Sequence, residues 1–346
     1  MWIDMKRILP TVIPPIKAFP DYACPLTIIL SHENTLEWFY CNYIHLYFII
    51  NQRVDPMGFY IPDYKGNLFN TFIPWIDYQI LNRDLIFNLN INIIDILKYS
   101  LDNEQYIVLY WDEFYIPNGI CVEEKPHYWH KTFIYGYDDL SENFYTYGYK
   151  GNGQYESCLI CYKDFHSSFY SNKGEMKEVH KKIYFLKFDT EREYKFDLKC
   201  VIDHLNDYLY SVDVTRRFNN SFNPLKGIKF GFSVYDCLKD YYDKPYIVKD
   251  IASSSYHIAL CILYEHKKVM LSRIRFLQDE KHLDDFNKLI QDYEVVVNNS
   301  CMLKNLFIKY TILGDETITK KIVFEINKIA NLEKKVLEGL IKKISK

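Results

Sequence analysis

Residues 106–111 read Tyr-Ile-Val-Leu-Tyr-Trp, an unbroken apolar run that ends on Asp112 and then meets Pro117-Asn118-Gly119. A run this short, rich in β-branched and aromatic residues and closed by turn formers, predicts a strand buried on both faces. It cannot stand alone, because its backbone donors and acceptors need neighbouring strands. The next candidates are His130 to Tyr137 and, after a turn at Asp138-Asp139, Asn143 to Tyr147. These two make a hairpin, and Ile183 to Leu186 adds a third short strand. The centre of the chain therefore predicts a small antiparallel sheet.

On either side the hydrophobic period changes. Residues 1–23 carry Pro10, Pro14, Pro15 and Pro20 and predict an extended lead-in. A helix is expected from Cys24-Pro25, because proline suits a first helical position. Leu36, Phe39, Tyr40, Tyr43, Ile44 and Tyr47 recur three and four apart and predict a second helix. Residues 53–90, with Pro56, Pro62 and Pro74, read as loop-rich and lead into a helix over 91–100. After about residue 195 the pattern is helical, with amphipathic runs over 258–277, 281–293 and 317–344. Glu265, His266, Lys267 and Arg273 fall on the first of these, at a spacing that suits a solvated helix face. No Gly/Ser linker precedes this region and no repeat is visible. The fold class is α+β: a core over 1–195 and a helical region over 196–346 packed on it.

Composition narrows the function classes. The 346 residues can bury a large core, with 49% apolar and 25% charged residues. Basic and acidic residues number 42 and 45, a net charge of −3, and no basic tract or nucleic-acid motif appears. Nucleic acid is not an expected partner. The N-terminus lacks a signal-peptide pattern, and apolar stretches such as Ile44 to Ile50 are too short for a bilayer, so a cytoplasmic protein without a membrane partner is expected. The 32 Tyr and 23 Phe fit an AT-rich genome, and would also line a cleft with amphipathic walls. The cysteines, at 24, 41, 121, 158, 161, 200, 237, 261 and 301, suggest buried small hydrophobes in place of a disulfide framework. Cys158 and Cys161 form a CxxC, but no second pair stands at zinc-site spacing, and no metal or bound cofactor is expected.

Two residues stand out chemically. A thiol in the first turn of a helix faces unpaired N–H groups and the positive dipole end, which favour thiolate, and Cys24 is read there. The plain alternative is a buried cysteine beneath the helix. Cys41 lies well inside a helical pattern, where the dipole offers little. His130 begins a strand and can act as base toward a thiol and then as acid toward a leaving group. Its plain alternative is a surface histidine, and His127 competes with it three residues away.

Helix-borne Cys24 followed far downstream by sheet-borne His130 is the order of papain-like enzymes. The segment His130-Lys131-Thr132-Phe133-Ile134-Tyr135-Gly136-Tyr137-Asp138 resembles the histidine hairpin of papain-like peptidases. It is similar to that of the bacteriocin-leader peptidases and, more closely, of the N-terminal domain of the butirosin biosynthesis protein H family. The stretch from Val108 to Pro117 resembles the element before the catalytic histidine there, and the likeness covers roughly residues 20–165. It implies a papain-like cysteine catalytic core with Cys24 as nucleophile and His130 as base. It also implies amide formation in natural-product biosynthesis: an acyl group passes from a carrier-protein thioester to Cys24 and then to an amine. The 4′-phosphopantetheine would belong to an acyl- or peptidyl-carrier partner, and the C-terminal region would complete the substrate or partner site.

Two departures qualify the likeness. The usual Asp or Asn falls near Gly148, which has a backbone role at most. His130 is left to a backbone carbonyl or to a carboxylate such as Asp112. No Gln precedes Cys24 within 16–23, so its backbone N–H is the only identified oxyanion donor. Hydrolysis by a peptidase or thioesterase, and a degenerate binding protein, remain the alternatives.

Overall fold

The structure, a computed structural model, describes residues 6–61, 73–117, 126–150, 153–218, 227–243, 254–279 and 285–345. Cys121, Asn118 and Gly119 of the expected turn, Pro62, and 281–284 of the expected helix lie outside them. The chain divides into two compact units, 1–33 with 73–193, and 34–72 with 194–346. The architecture is α+β, with an antiparallel sheet and a helical C-terminal region. Segment 34–72, expected within the 1–195 core, groups with the C-terminal residues.

Unit 1 is built on a seven-stranded sheet. Its strands are β1 (Lys6–Ile8), β4 (Ile76–Asn82), β5 (Gln105–Asp112), β6 (Trp129–Asp138), β7 (Asn143–Tyr149), β8 (Tyr155–Cys161) and β9 (Lys182–Phe188). They run in the order β4-β9-β5-β6-β7-β8, every pairing antiparallel, with β1 added beside β6. Strand β5 is flanked on both sides, as its unbroken apolar run requires. Gly136 is explained by β1: a Cβ there would stand 2.6 Å from the Arg7 carbonyl oxygen. Strand β4 falls within the stretch 53–90 that the sequence predicts as loop-rich. It is a sheet edge with mostly exposed side chains, so it lacks the apolar signature of β5.

The helices of unit 1 are α1 (Pro20–Ile29), α3 (Arg83–Leu89), α4 (Ile93–Asp102) and α5 (Tyr162–Phe169). Helix α1 begins at Pro20, not at Cys24. Phe19 is extended (φ −129°, ψ 142°), as a residue before proline prefers, and Pro20 takes the first turn. Cys24 and Pro25 thus lie a full turn further in. Asn82 and Asn92 cap α3 and α4 with side-chain oxygens on the N–H groups of Asp84 and Ile94.

In unit 2 the helical pattern over 36–47 stops early. Helix α2 spans Leu36–Cys41, Tyr43 adopts φ 52°, and the chain continues into β2 (Leu46–Ile49). Strand β2 pairs with β3 (Met57–Phe59) and with β10 (Ile228–Phe230). Helices α6 (Leu198–Leu209), α7 (Val234–Tyr242), α8 (Ile258–Asp279), α9 (Asn287–Leu313) and α10 (Thr317–Ile344) supply the rest. Glu265, His266, Lys267 and Arg273, expected on a solvated face, are buried. The reason is hydrogen bonding that the sequence does not display. The Lys267 ammonium lies 2.8 Å from both oxygens of Glu333 on α10. The Tyr208, Tyr235 and Tyr293 hydroxyls, from α6, α7 and α9, donate to the same carboxylate. Arg273 donates to the carbonyls of Tyr40 and Asn42 at the end of α2. Among the described residues no helix is long and apolar enough to cross a membrane.

Glu333→Ala leaves an uncompensated ammonium in this core. Urea unfolding should show a loss of about 3–5 kcal/mol, and Lys267→Met combined with Glu333→Leu should recover only part of it, because the Tyr208, Tyr235 and Tyr293 hydroxyls still lack their acceptor.

Candidate active site

Strand β5 ends at Asp112 and β6 starts at Trp129, directly across the ladder. This register brings the 112–113 and 127–130 segments together at one end of the sheet. Asp112 is fully buried and has replaced its hydration with protein donors. Its Oδ1 accepts from the N–H groups of Phe114 and Tyr128 at 3.1 and 3.2 Å. Its Oδ2 accepts from Ser171 Oγ at 2.6 Å and from His127 Nδ1 at 2.7 Å. Ser168 Oγ donates to the Asp112 backbone carbonyl at 2.7 Å. A carboxylate held at four points is a rigid orienter, and a carboxylate acceptor puts the hydrogen of His127 on Nδ1.

One face of the His127 imidazole is covered too, by Phe114, which stacks on it at 4.4 Å between ring centroids. Gly174 (φ +70°) packs on its backbone, where a Cβ would be 3.1 Å from the His127 Cβ and carbonyl oxygen. The side chain is still 27% exposed, and Nδ1 is committed to Asp112, so Nε2 is the nitrogen left to do chemistry. A histidine set this way has the geometry an acid–base group needs.

His130 is placed beside a different carboxylate. Its Nδ1 lies 3.4 Å from Glu113 Oε1, which also accepts from Trp111 Nε1 at 2.8 Å. Trp111 is the cross-strand partner of His130. The carboxylate suggested for His130, Asp112, thus serves His127, and its neighbour Glu113 serves His130. Gly148 lies in β7 opposite Glu156, where an added Cβ would meet nothing within 4 Å.

Cys24 lies elsewhere. Successive strand residues point to opposite faces, so His130 and Lys131 cannot both face α1. It is Lys131 that does, forming an ion pair with Asp21 in the first turn of α1. The thiol of Cys24 is buried, with Lys131, Asp21 and the Tyr155 hydroxyl as its polar surroundings. Burial pushes it up to about 12 against the opposing pull of the Lys131 cation. The structure does not hydrogen-bond Cys24 to His130. Cys41 is also buried and pushed up by burial, its thiol directed at the Asp197 carbonyl. Cys161 caps α5 with its sulfur on the Asp164 N–H, and Cys158 contacts Thr146 Oγ1.

From the sequence His127 stands only as a competitor of His130, and Glu113, Ser171 and Lys131 carry no motif of their own. The available signal was the pair of adjacent acids ending one strand and two histidines opening the next. No protein-family model matches the chain, and no curated protein matches it.

With a value of about 12, roughly one Cys24 thiol in ten thousand is ionised at pH 8. Iodoacetamide at that pH should leave Cys24 unmodified in the folded protein and alkylate it in urea, as read by peptide mass mapping. Rapid alkylation of the native thiol would contradict the buried, protonated state.

Proposed function

We propose that unit 1 catalyses acyl transfer from a thioester to an amine, forming an amide, with His127 as general base and Asp112 as its orienting carboxylate. The observation that carries this reading is the 2.7 Å Asp112–His127 pair, with a fully buried carboxylate and a partly exposed ring. The acyl chemistry rests on the sequence resemblance, and the base on the geometry, since Cys24 and His130 are not hydrogen-bonded to each other. An activated thioester needs less help than an amide, so a base acting directly on the amine suffices. As the amine nitrogen attacks the thioester carbon, its proton passes to His127 Nε2. The tetrahedral intermediate collapses with cleavage of the C–S bond, and the departing thiolate takes the proton back. The aromatic rim of Phe114 and Tyr128, both substantially exposed, suits an apolar or aryl acyl group. The thioester donor in this reading is a carrier protein bearing 4′-phosphopantetheine.

This departs from an acyl-Cys24 route in one respect: the buried, protonated thiol is not required. With water in place of the amine, the same base would give hydrolysis.

The test offers acyl thioesters and a panel of amines to the purified chain and follows amide by mass spectrometry. His127→Gln and Asp112→Asn should each lower kcat/KM by about 100- to 10,000-fold, while Cys24→Ala should stay within about threefold of the parent. Acyl group trapped on Cys24, with turnover lost in Cys24→Ala, would restore the acyl-enzyme route. Acid as the sole product at every amine concentration would make the protein a hydrolase. A chain inert toward all thioesters, with His127→Gln indistinguishable, would leave the binding-protein reading.

A further inference from the structure

Unit 2 contains a pocket that the proposed acyl transfer does not use. Its cavity is about 70 Å³, with Tyr43, Ile44, Ile61 and Val214 as apolar walls. That is on the order of half the 150 Å³ cavity known to take benzene, so it suits a short chain of a few heavy atoms. The polar lining includes His45, Asp207 and Arg217.

Two features fix the chemistry. Asp207 and Arg217 neutralise each other through two parallel bonds, with Nη2 to Oδ1 at 2.7 Å and Nη1 to Oδ2. The pocket therefore offers no net charge. An ammonium ion would meet the Arg217 cation, and a carboxylate would meet the Asp207 anion. The second feature is His45, only 6% exposed. Its Nε2 stands 3.1 Å from the Val212 carbonyl. A carbonyl only accepts, so Nε2 carries the hydrogen and Nδ1 is a bare acceptor. That Nδ1 is buried and has no hydrogen-bond partner. Buried acceptors are nearly always met by a donor, and His45, whose Nδ1 is not met, is one of the residues that line the cavity. Phe230 stacks flat against the ring, and Gly231 (φ +58°) lies where a Cβ would come 3.1 Å from His45 Cε1, so the imidazole is held in place. Burial pushes the imidazole down to about 4 and keeps it the neutral acceptor.

We propose that this pocket binds a small neutral molecule that donates a hydroxyl or amide hydrogen to His45 Nδ1 and lays a short apolar body against Tyr43, Ile44, Ile61 and Val214. The class is set by the bare acceptor, the cancelled charge and the small apolar walls together.

The test uses the full chain labelled with ¹⁵N-histidine and four probes of one length: 1-butanol, butanamide, butylammonium and butyrate. 1-Chlorobutane, with the same body and no donor, is the control. Butanol and butanamide should saturate and shift the His45 Nδ1 resonance, and should bind at least about tenfold more tightly than 1-chlorobutane. His45→Phe, which keeps a ring in place, should abolish that preference. Equal binding of 1-chlorobutane, tighter binding of either ion, or no probe moving the His45 resonance would overturn the proposal. The resonance of the unsubstituted protein decides the matter even if the variant fails to fold.

Discussion

A carboxylate taken out of water must find donors for its oxygens or give up its charge, and each unit of this protein is arranged around one that has found them. Asp112 collects two backbone N–H groups, a serine and a histidine. Glu333 collects an ammonium and three tyrosine hydroxyls. The desolvation of such a group costs several kcal/mol, and only well-placed donors offset it. The donors to Glu333 come from four helices, and those to Asp112 include the 127–128 segment and Ser171, so satisfying one carboxylate fixes several elements at once.

The two hubs have different consequences. Glu333 is wholly enclosed, and its partners are enclosed with it. Its partners come from α6, α7, α8 and α9, so it ties those helices to α10. Asp112 is enclosed on the protein side, but the histidine it orients is partly open. That asymmetry, a rigid buried acceptor behind an accessible ring, is what the proposed acid–base role of His127 rests on, and the enclosed Glu333 pair lacks it. Cys24 has the opposite setting: the thiol is shut in, and the nearest cation is already engaged by Asp21.

Much of the fold was legible. The apolar run at 106–111 could only be an interior strand, and the hairpin after it followed from alternation and a turn. The helical C-terminal region followed from period alone. The edge strand β4 escaped because an exposed edge carries no apolar stripe. The end of α2 escaped because a left-handed Tyr43 has no sequence signal comparable to that of glycine. The burial of Lys267 and Arg273 escaped because helical spacing reports which face a residue occupies, and α8 is buried on more than one.

The sequence by itself determined the residue types of the site: two acids closing one strand, two histidines opening the next, and a cysteine near a proline-marked helix. Which of them meet was decided by the ladder register and by where α1 begins. Pairing Asp112 with Trp129 across β5 and β6 delivers His127 to Asp112 and His130 to Glu113. Starting α1 at Pro20 carries Cys24 into the core. Side chains alternate every residue on a strand and turn about 100° per residue on a helix, so a shift of one position changes the partner. Composition and spacing do not encode that shift, and packing does.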